Sequence, residues 1–210
     1  MTGLLEQFVT LWVVIDPIGT VPVFIAVTAA MDESARKRTA LQAALVSVGI
    51  LSFFLVFGQL VIDALGIGLN SFQVAGGIVL FLFALTMIFG EAKPDAEQKA
   101  ATEHGIAHTT APGVFPLAVP SLASPGAMLA IVLLTDNHRF SIPEQTVTAA
   151  VMVAVIACAY VMMRLADPII RLIGNEGSAI VSRVMGMILA SVAVNEVLSA
   201  LLHIFKTGQL

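Results

Sequence analysis

The stretch Ile15-Asp16-Pro17-Ile18-Gly19-Thr20-Val21-Pro22-Val23-Phe24 sets an acid, two prolines and a glycine in the middle of an apolar run covering residues 4–29. Proline removes a backbone donor and blocks the helix behind it, and glycine loosens the backbone. A carboxylate in hydrocarbon needs a partner or a task; translocon-based scales put an Asp at a helix centre near ~2.5–3.5 kcal/mol. A second interrupted run, Pro116-Leu117-Ala118-Val119-Pro120-Ser121-Leu122-Ala123-Ser124-Pro125-Gly126-Ala127, opens the second half. Broken membrane helices at matching positions of two halves point to a transporter binding site. Ordinary proline kinks are the plainer reading of any one proline. The density of breakers in both runs favours a site.

The surrounding sequence requires a membrane. Of 210 residues, 58% are hydrophobic and only 11% charged, and the mean hydropathy is +0.97. Soluble domains carry roughly 25% charged residues. Six apolar runs, at residues 4–29, 39–64, 71–90, 114–135, 144–167 and 179–205, are each near the ~20 residues a helix needs to span the hydrocarbon core. The fold expected is therefore an all-α membrane protein with six transmembrane helices, the first and fourth discontinuous. Gly66, Gly68 and Asn70 mark a tight connection. A charged segment at 91–113 joins a first three-helix unit (1–90) to a second (114–210). Glu6, with no Lys or Arg ahead of it, argues for a retained span rather than a cleaved signal. Cys158 is the lone cysteine, so no internal disulfide is expected. No basic stretch with interleaved aromatics suggests nucleic acid.

Loop charge orients the spans. Arg36, Lys37, Arg38, Lys93, Lys99, Arg164, Arg171 and Arg183 fall on one side, and only Arg139 and Lys206 on the other. This predicts a cytoplasmic basic side with both termini on the periplasmic, outer side. Comparing the halves, an offset of 108 lays Asp16-Pro17 on Ser124-Pro125 and Leu65-Gly66 on Ile173-Gly174. An offset of 110 lays Val74, Gly76 and Ile78 on Val184, Gly186 and Ile188. Three spans per half is an odd number, so the second copy must enter the membrane inverted. The halves then read as 3+3 inverted repeats suited to alternating access.

Each break frees carbonyls of one half-helix and amides of the next. Freed amides at a helix N-terminus attract a carboxylate, and freed carbonyls attract an ammonium group or a cation. Two opposed breaks near the midplane suit a small zwitterion. Asp16 to Thr20, including Pro17, and Ser124 to Ala127, including Pro125, would form the opposed ends. Gly19 and Gly126 would let a ligand approach the backbone, and Thr20, Ser121 and Ser124 would supply hydroxyls. Asp16 has two readings: a group that meets substrate or a coupling proton, or an N-cap of the second half-helix. Asn195 would reach the site from the last span or act as polar glue between helices. Glu196 is a second ion-coupling candidate. Gly76, Gly77 and Gly186 read as close helix contacts, and Arg164, Asp167 and Arg171 as a surface ion-pair cluster. His104 and His108 have metal-compatible spacing beside Glu103, but Gly105 and the loop setting favour a solvated face. No metal or other cofactor is expected.

The two motifs, Asp16 through Phe24 and Phe115 through Ala127, resemble those of the MarC family of bacterial inner-membrane proteins, which includes SnatA-type small neutral amino-acid transporters. The resemblance covers the whole chain. It implies movement of glycine, alanine or serine through a site between the broken first and fourth helices, driven by a gradient of H+ or Na+. It also implies a multi-pass protein of the bacterial inner membrane. One departure stands out: Ser124 replaces the first glycine of the family's usual Gly-Pro-Gly, which would narrow the pocket or add a donor. An exporter of other metabolites or drugs is the alternative, and would need a larger apolar cavity. An intramembrane enzyme using Ser121 or Ser124 lacks a base, since His104, His108, His138 and His203 lie in loops or near span ends. The expectation is therefore a non-enzymatic transporter whose partners are its amino-acid substrate and the bilayer, with a homo-oligomer left open.

Overall fold

A computed structural model describes residues 3–89, 112–137 and 140–208. The connecting segment with Lys93, Lys99, Glu103, His104, Gly105 and His108 lies outside the described residues, as do His138 and Arg139. Among the described residues every regular element is helical. They are α1 (Leu4–Ile15), α2 (Pro17–Thr28), α3 (Glu33–Ala64), α4 (Leu69–Phe89), α5 (Gly113–Leu122), α6 (Pro125–Leu134), α7 (Ile142–Arg164) and α8 (Ala166–Thr207).

Local chemistry explains the ends. α3 starts where the Asp32 side chain accepts the Ala35 amide. Its 32 residues reach ~48 Å, well beyond the ~30 Å hydrocarbon core, so the first turns with Arg36, Lys37 and Arg38 extend past the apolar slab. It stops at Gly66, whose φ of 64° suits a residue without a Cβ. α7 opens with a reciprocal Ser141–Glu144 capping box. α5 is irregular because Phe115 and Val119 are extended, the conformation a following proline imposes. Both of those X–Pro peptides are cis. α5 and α6 meet at a bend of 56°. α8 is continuous in chain but turns at Gly174, φ 71°.

Among the described residues, five helical stretches, with α1 and α2 taken as one, are long and apolar enough to cross a membrane, and there are six if α5 and α6 count as one broken span. This matches the six apolar runs of the sequence. Burial sorts them into layers. In the most apolar window of α1 and α2, 61% of residues are buried, against 28% in α3 or α4. The broken helix is therefore interior. The outer helices show lipid-suited side chains such as Leu45, Phe53, Val56, Leu60, Leu82, Leu198 and Leu202. Exposed apolar surface of that extent is a liability in water and the required finish in lipid.

The element order repeats: a broken helix, a long helix and a third helix, in each half. α3 packs on α5 and α6, and α7 packs on α1 and α2, so each long helix embraces the other half's broken one. The third helices, α4 and α8, form the most extensive contact. Small residues make it close. A Cβ on Gly77 would lie 2.7 Å from Val197 Cγ2 and 3.1 Å from the Ala193 carbonyl; one on Gly186 would lie 3.1 Å from the Ala84 carbonyl. The packing reading of Gly77 and Gly186 holds, and Gly76 instead makes room for Leu129 of α6.

At the basic end, Asp167 is paired differently from expectation. Its partner is Arg36 of α3, at 2.8 and 2.9 Å, while Arg164 reaches the Tyr160 hydroxyl. The sequence cluster of Arg164, Asp167 and Arg171 missed this because the partner is 131 residues away.

Two outcomes follow from this packing. Gly77→Leu should lower the thermal midpoint in detergent by the equivalent of about 1–3 kcal/mol of overpacking. Gly49→Ala, where a Cβ meets nothing within 4 Å, should leave the midpoint unchanged or slightly raised. The Arg36 hydrogen bond and charge hold the Asp167 carboxyl below its ordinary value. A lowered folded value stabilises above the unfolded carboxylate pKa of about 3.9 and is lost as pH falls through the folded one. A pH scan of melting should thus show a small acid-side loss that Asp167→Asn removes.

Candidate functional site at the helix breaks

The first break is one residue wide. Asp16 takes the left-handed conformation, φ 52° and ψ 63°, which acidic and amide side chains tolerate better than most. Its backbone N–H closes α1 on the Trp12 carbonyl at 3.0 Å. Its carboxylate opens α2 by accepting the Gly19 amide at 2.9 Å, with Pro17 in the first turn, where no donor is missed. One side chain therefore ends one half-helix and starts the next. The helix N-terminus supplies positive potential for the buried charge.

Gly19 is required by this fold-back: a Cβ there would sit 2.0 Å from Asp16 Oδ2. Gly126 makes room in the same way, since its Cβ would sit 2.1 Å from Leu80 Cδ1. The space beside both glycines, assigned from sequence to an approaching ligand, is filled in this conformation by Asp16 and Leu80.

The second break is capped alike. Ser124 Oγ accepts the Ala127 amide at 3.1 Å, with Pro125 in the first turn of α6. The same hydroxyl donates to the Val14 carbonyl at 2.9 Å, one of the acceptors left open where α1 stops. Ser124 thus supplies the added donor anticipated from its departure, and spends it across the break. Beside it, Thr20 Oγ1 donates to the Asp16 carbonyl at 3.0 Å and lies 3.1 Å from Ser121 Oγ. A hydroxyl has a single proton, so Ser121 is the donor of that second bond. Asp16, Thr20, Ser121 and Ser124 are each at most 5% exposed. The two motifs, over a hundred residues apart in sequence, meet here.

A partly open cavity of about 100 Å³ lies beside this meeting point, touching Val14 and Gly126 next to the two breaks. Its polar groups are Glu6, Gln7, Thr10 and Glu196. Glu196 is half-buried and accepts a hydrogen bond from Gln73 of α4. Asn195 does not join it: the residue is exposed on the outer face of α8. Adjacent helical residues differ by about 100° around the axis, so only one of the pair can face inward, and the structure selects Glu196. Sequence reading also overlooked Gln7 and Thr10. Glu6, Thr10 and Val14 recur every four residues, a one-face signal present in the first apolar run. Among the described residues no cluster of three His, Cys, Asp or Glu is arranged to hold a metal.

A family model described as the MarC family integral membrane protein matches residues 1–205. The chain belongs to the MarC family. It is an integral membrane protein, with relatives in archaea and in bacteria. A membrane protein of Archaeoglobus fulgidus is 33% identical over 93% of this chain and 90% of its own length. The membrane protein YhcE of Escherichia coli is 32% identical over 94% of this chain and 91% of its own length. The inner membrane protein MarC of Salmonella arizonae is 30% identical over 91% and 90%. These names state a membrane location and no substrate. No solved structure matches the chain.

For this MarC-family site, capping and charge are separable at Asp16. Asparagine keeps an N-cap oxygen and tolerates the left-handed backbone; alanine keeps neither. Asp16→Asn should melt near the parent protein, and Asp16→Ala should lose about 1–3 kcal/mol, read as thermal midpoints of the purified proteins.

Proposed function

We propose that this MarC-family protein is a secondary transporter of small neutral amino acids, of the glycine, alanine and serine class, working by alternating access. The observation that carries the reading is the meeting of two capped helix breaks, one from each half, beside a small cavity that holds four polar side chains on an otherwise apolar wall. Non-helical backbone at membrane depth is tolerated only inside protein or beside a wet cavity. Two such breaks in contact are hard to account for as scaffold alone.

The inverted 3+3 repeat is part of the same proposal. It draws support from matched details: Asp16 and Ser124 both cap the half-helix after a break. Gly66 and Gly174 both have positive φ. α3 and α7 exchange broken-helix partners. In this reading the Arg36–Arg164 end is cytoplasmic, by the excess of Lys and Arg there, and both termini and the Glu6 cavity face outward.

The site's bonds are of the kind a zwitterion can replace. The Gly19 and Ala127 amides, now given to Asp16 and Ser124, sit at half-helix N-termini and favour a carboxylate. The Val14 and Asp16 carbonyls, now given to Ser124 and Thr20, favour an ammonium group. Substrate would exchange these internal hydrogen bonds for its own, which keeps the net cost of either state low. Asp16 and Glu196 are the carboxylates placed to couple the cycle to H+ or Na+. A cavity of only about 100 Å³ weighs against a large drug. Ser121 and Ser124 are read as binding and capping hydroxyls, with no catalytic step.

Counterflow in proteoliposomes tests this. Labelled glycine, alanine or serine should exchange against unlabelled internal substrate, and Ser121→Ala should raise the half-saturating concentration roughly tenfold, about 1.4 kcal/mol. Asp16→Asn should retain the fold and lose concentrative uptake under an ion gradient. If no small amino acid gives counterflow with sodium and pH varied independently, the assignment fails.

A further inference from the structure

A second hollow, of about 140 Å³, enters the bundle from the basic end between α2, the start of α3 and the end of α7. It stops at Phe24, which is 2% exposed and lies one turn beyond Thr20 on α2. The guanidinium of Arg36 stands 5.5 Å from the centre of the Phe24 ring, within cation–π range. The same guanidinium forks onto Asp167 through Nη1 at 2.9 Å and Nη2 at 2.8 Å. Glu33, Lys37, Met163 and Arg164 complete the wall. The outer cavity touches Val14, before the Asp16 break, and this hollow touches Phe24, after it. Two openings therefore approach the break site from opposite ends, and Phe24 closes the second.

We propose that Phe24, held by the Arg36–Asp167 pair, is the gate that shuts the transport path at the basic end. This rests on the transport reading above. The latch joins α2 and α3 of the first half to the α7–α8 junction of the second, so separating the halves at this end must break the pair and release the ring. Its strength suits a reversible closure. Arg36 is 24% and Asp167 55% exposed at the side chain, and partly exposed pairs are weak enough to open thermally, whereas a fully buried pair would resist it. The bidentate fork and the ring contact both require the planar guanidinium, so Lys in place of Arg36 would not reproduce the latch.

The test reads access rather than transport. In a Cys158→Ala background, Thr20→Cys places a thiol at the break, one turn behind Phe24. A charged, membrane-impermeant thiol reagent is added to proteoliposomes on the side bearing Arg36. Labelling should be slow in that protein and rise roughly twofold to fivefold on adding Asp167→Asn, with Phe24→Ala raising it at least as far. Exchanging the charges, Arg36→Asp with Asp167→Arg, should bring the rate back toward the parent value. Unchanged labelling in both Asp167→Asn and Phe24→Ala, with each eluting as folded protein, overturns the gate. A rise that the charge exchange does not reverse assigns the effect to loosened packing and also overturns the latch. Amino-acid counterflow can succeed while this labelling result fails, or the reverse, so the two readings fall separately.

Discussion

Backbone groups inside a bilayer have no water to turn to, and each one left open costs several kcal/mol. That constraint governs this protein more than any side-chain preference, because the chain breaks two helices in its interior. Asp16 and Ser124 answer it. One carboxylate and one hydroxyl, with the prolines that follow them, accept the amides at the starts of α2 and α6. Ser124 and Thr20 then return protons to carbonyls left open near the first break. The irregular centre is thereby hydrogen-bonded, and the surrounding helices have only to shield it from lipid.

The architecture can be understood as that shield. α3 and α7, the second helix of each half, each lie against the other half's broken element. α4 and α8 close on each other through glycines 77 and 186. Without a hydrophobic drive between helices in lipid, such close small-residue contact is what holds a bundle together. The lipid-facing surfaces need only be apolar, which explains why their sequences are little more than Leu, Val, Ile and Phe.

The apolar runs and the two broken motifs were legible in sequence because membrane thickness and helix breakers leave strong marks. The capping role of Asp16 was one of two readings, and geometry supports it directly. What could not be read was which side of a helix faces which partner. Asn195 and Glu196 are neighbours in sequence, yet only Glu196 lines the cavity. Gly19 and Gly126 read in sequence as openings for a ligand, and the side chains that stand beside them in this conformation, Asp16 and Leu80, carry no local sequence mark. Arg36 and Asp167 gave no sequence sign of being partners, since nothing local links the start of α3 to the start of α8. Gln7 and Thr10 were hidden for a milder reason: two polar residues in an apolar run attract little notice beside an acid flanked by prolines.

The narrowness of the first break has a mechanical side. α1 and α2 are joined through the single residue Asp16, and α1 is 12 residues long, about 18 Å at 1.5 Å per residue. A rigid arm of that length turns small torsions at its hinge into large excursions at its tip. A rotation of roughly 10° about Asp16 would carry the Glu6 end of α1 about 3 Å on this geometry, comparable to the diameter of a water molecule. The cavity wall formed by Glu6, Gln7 and Thr10 is thus the long end of a lever whose fulcrum is the capping residue itself.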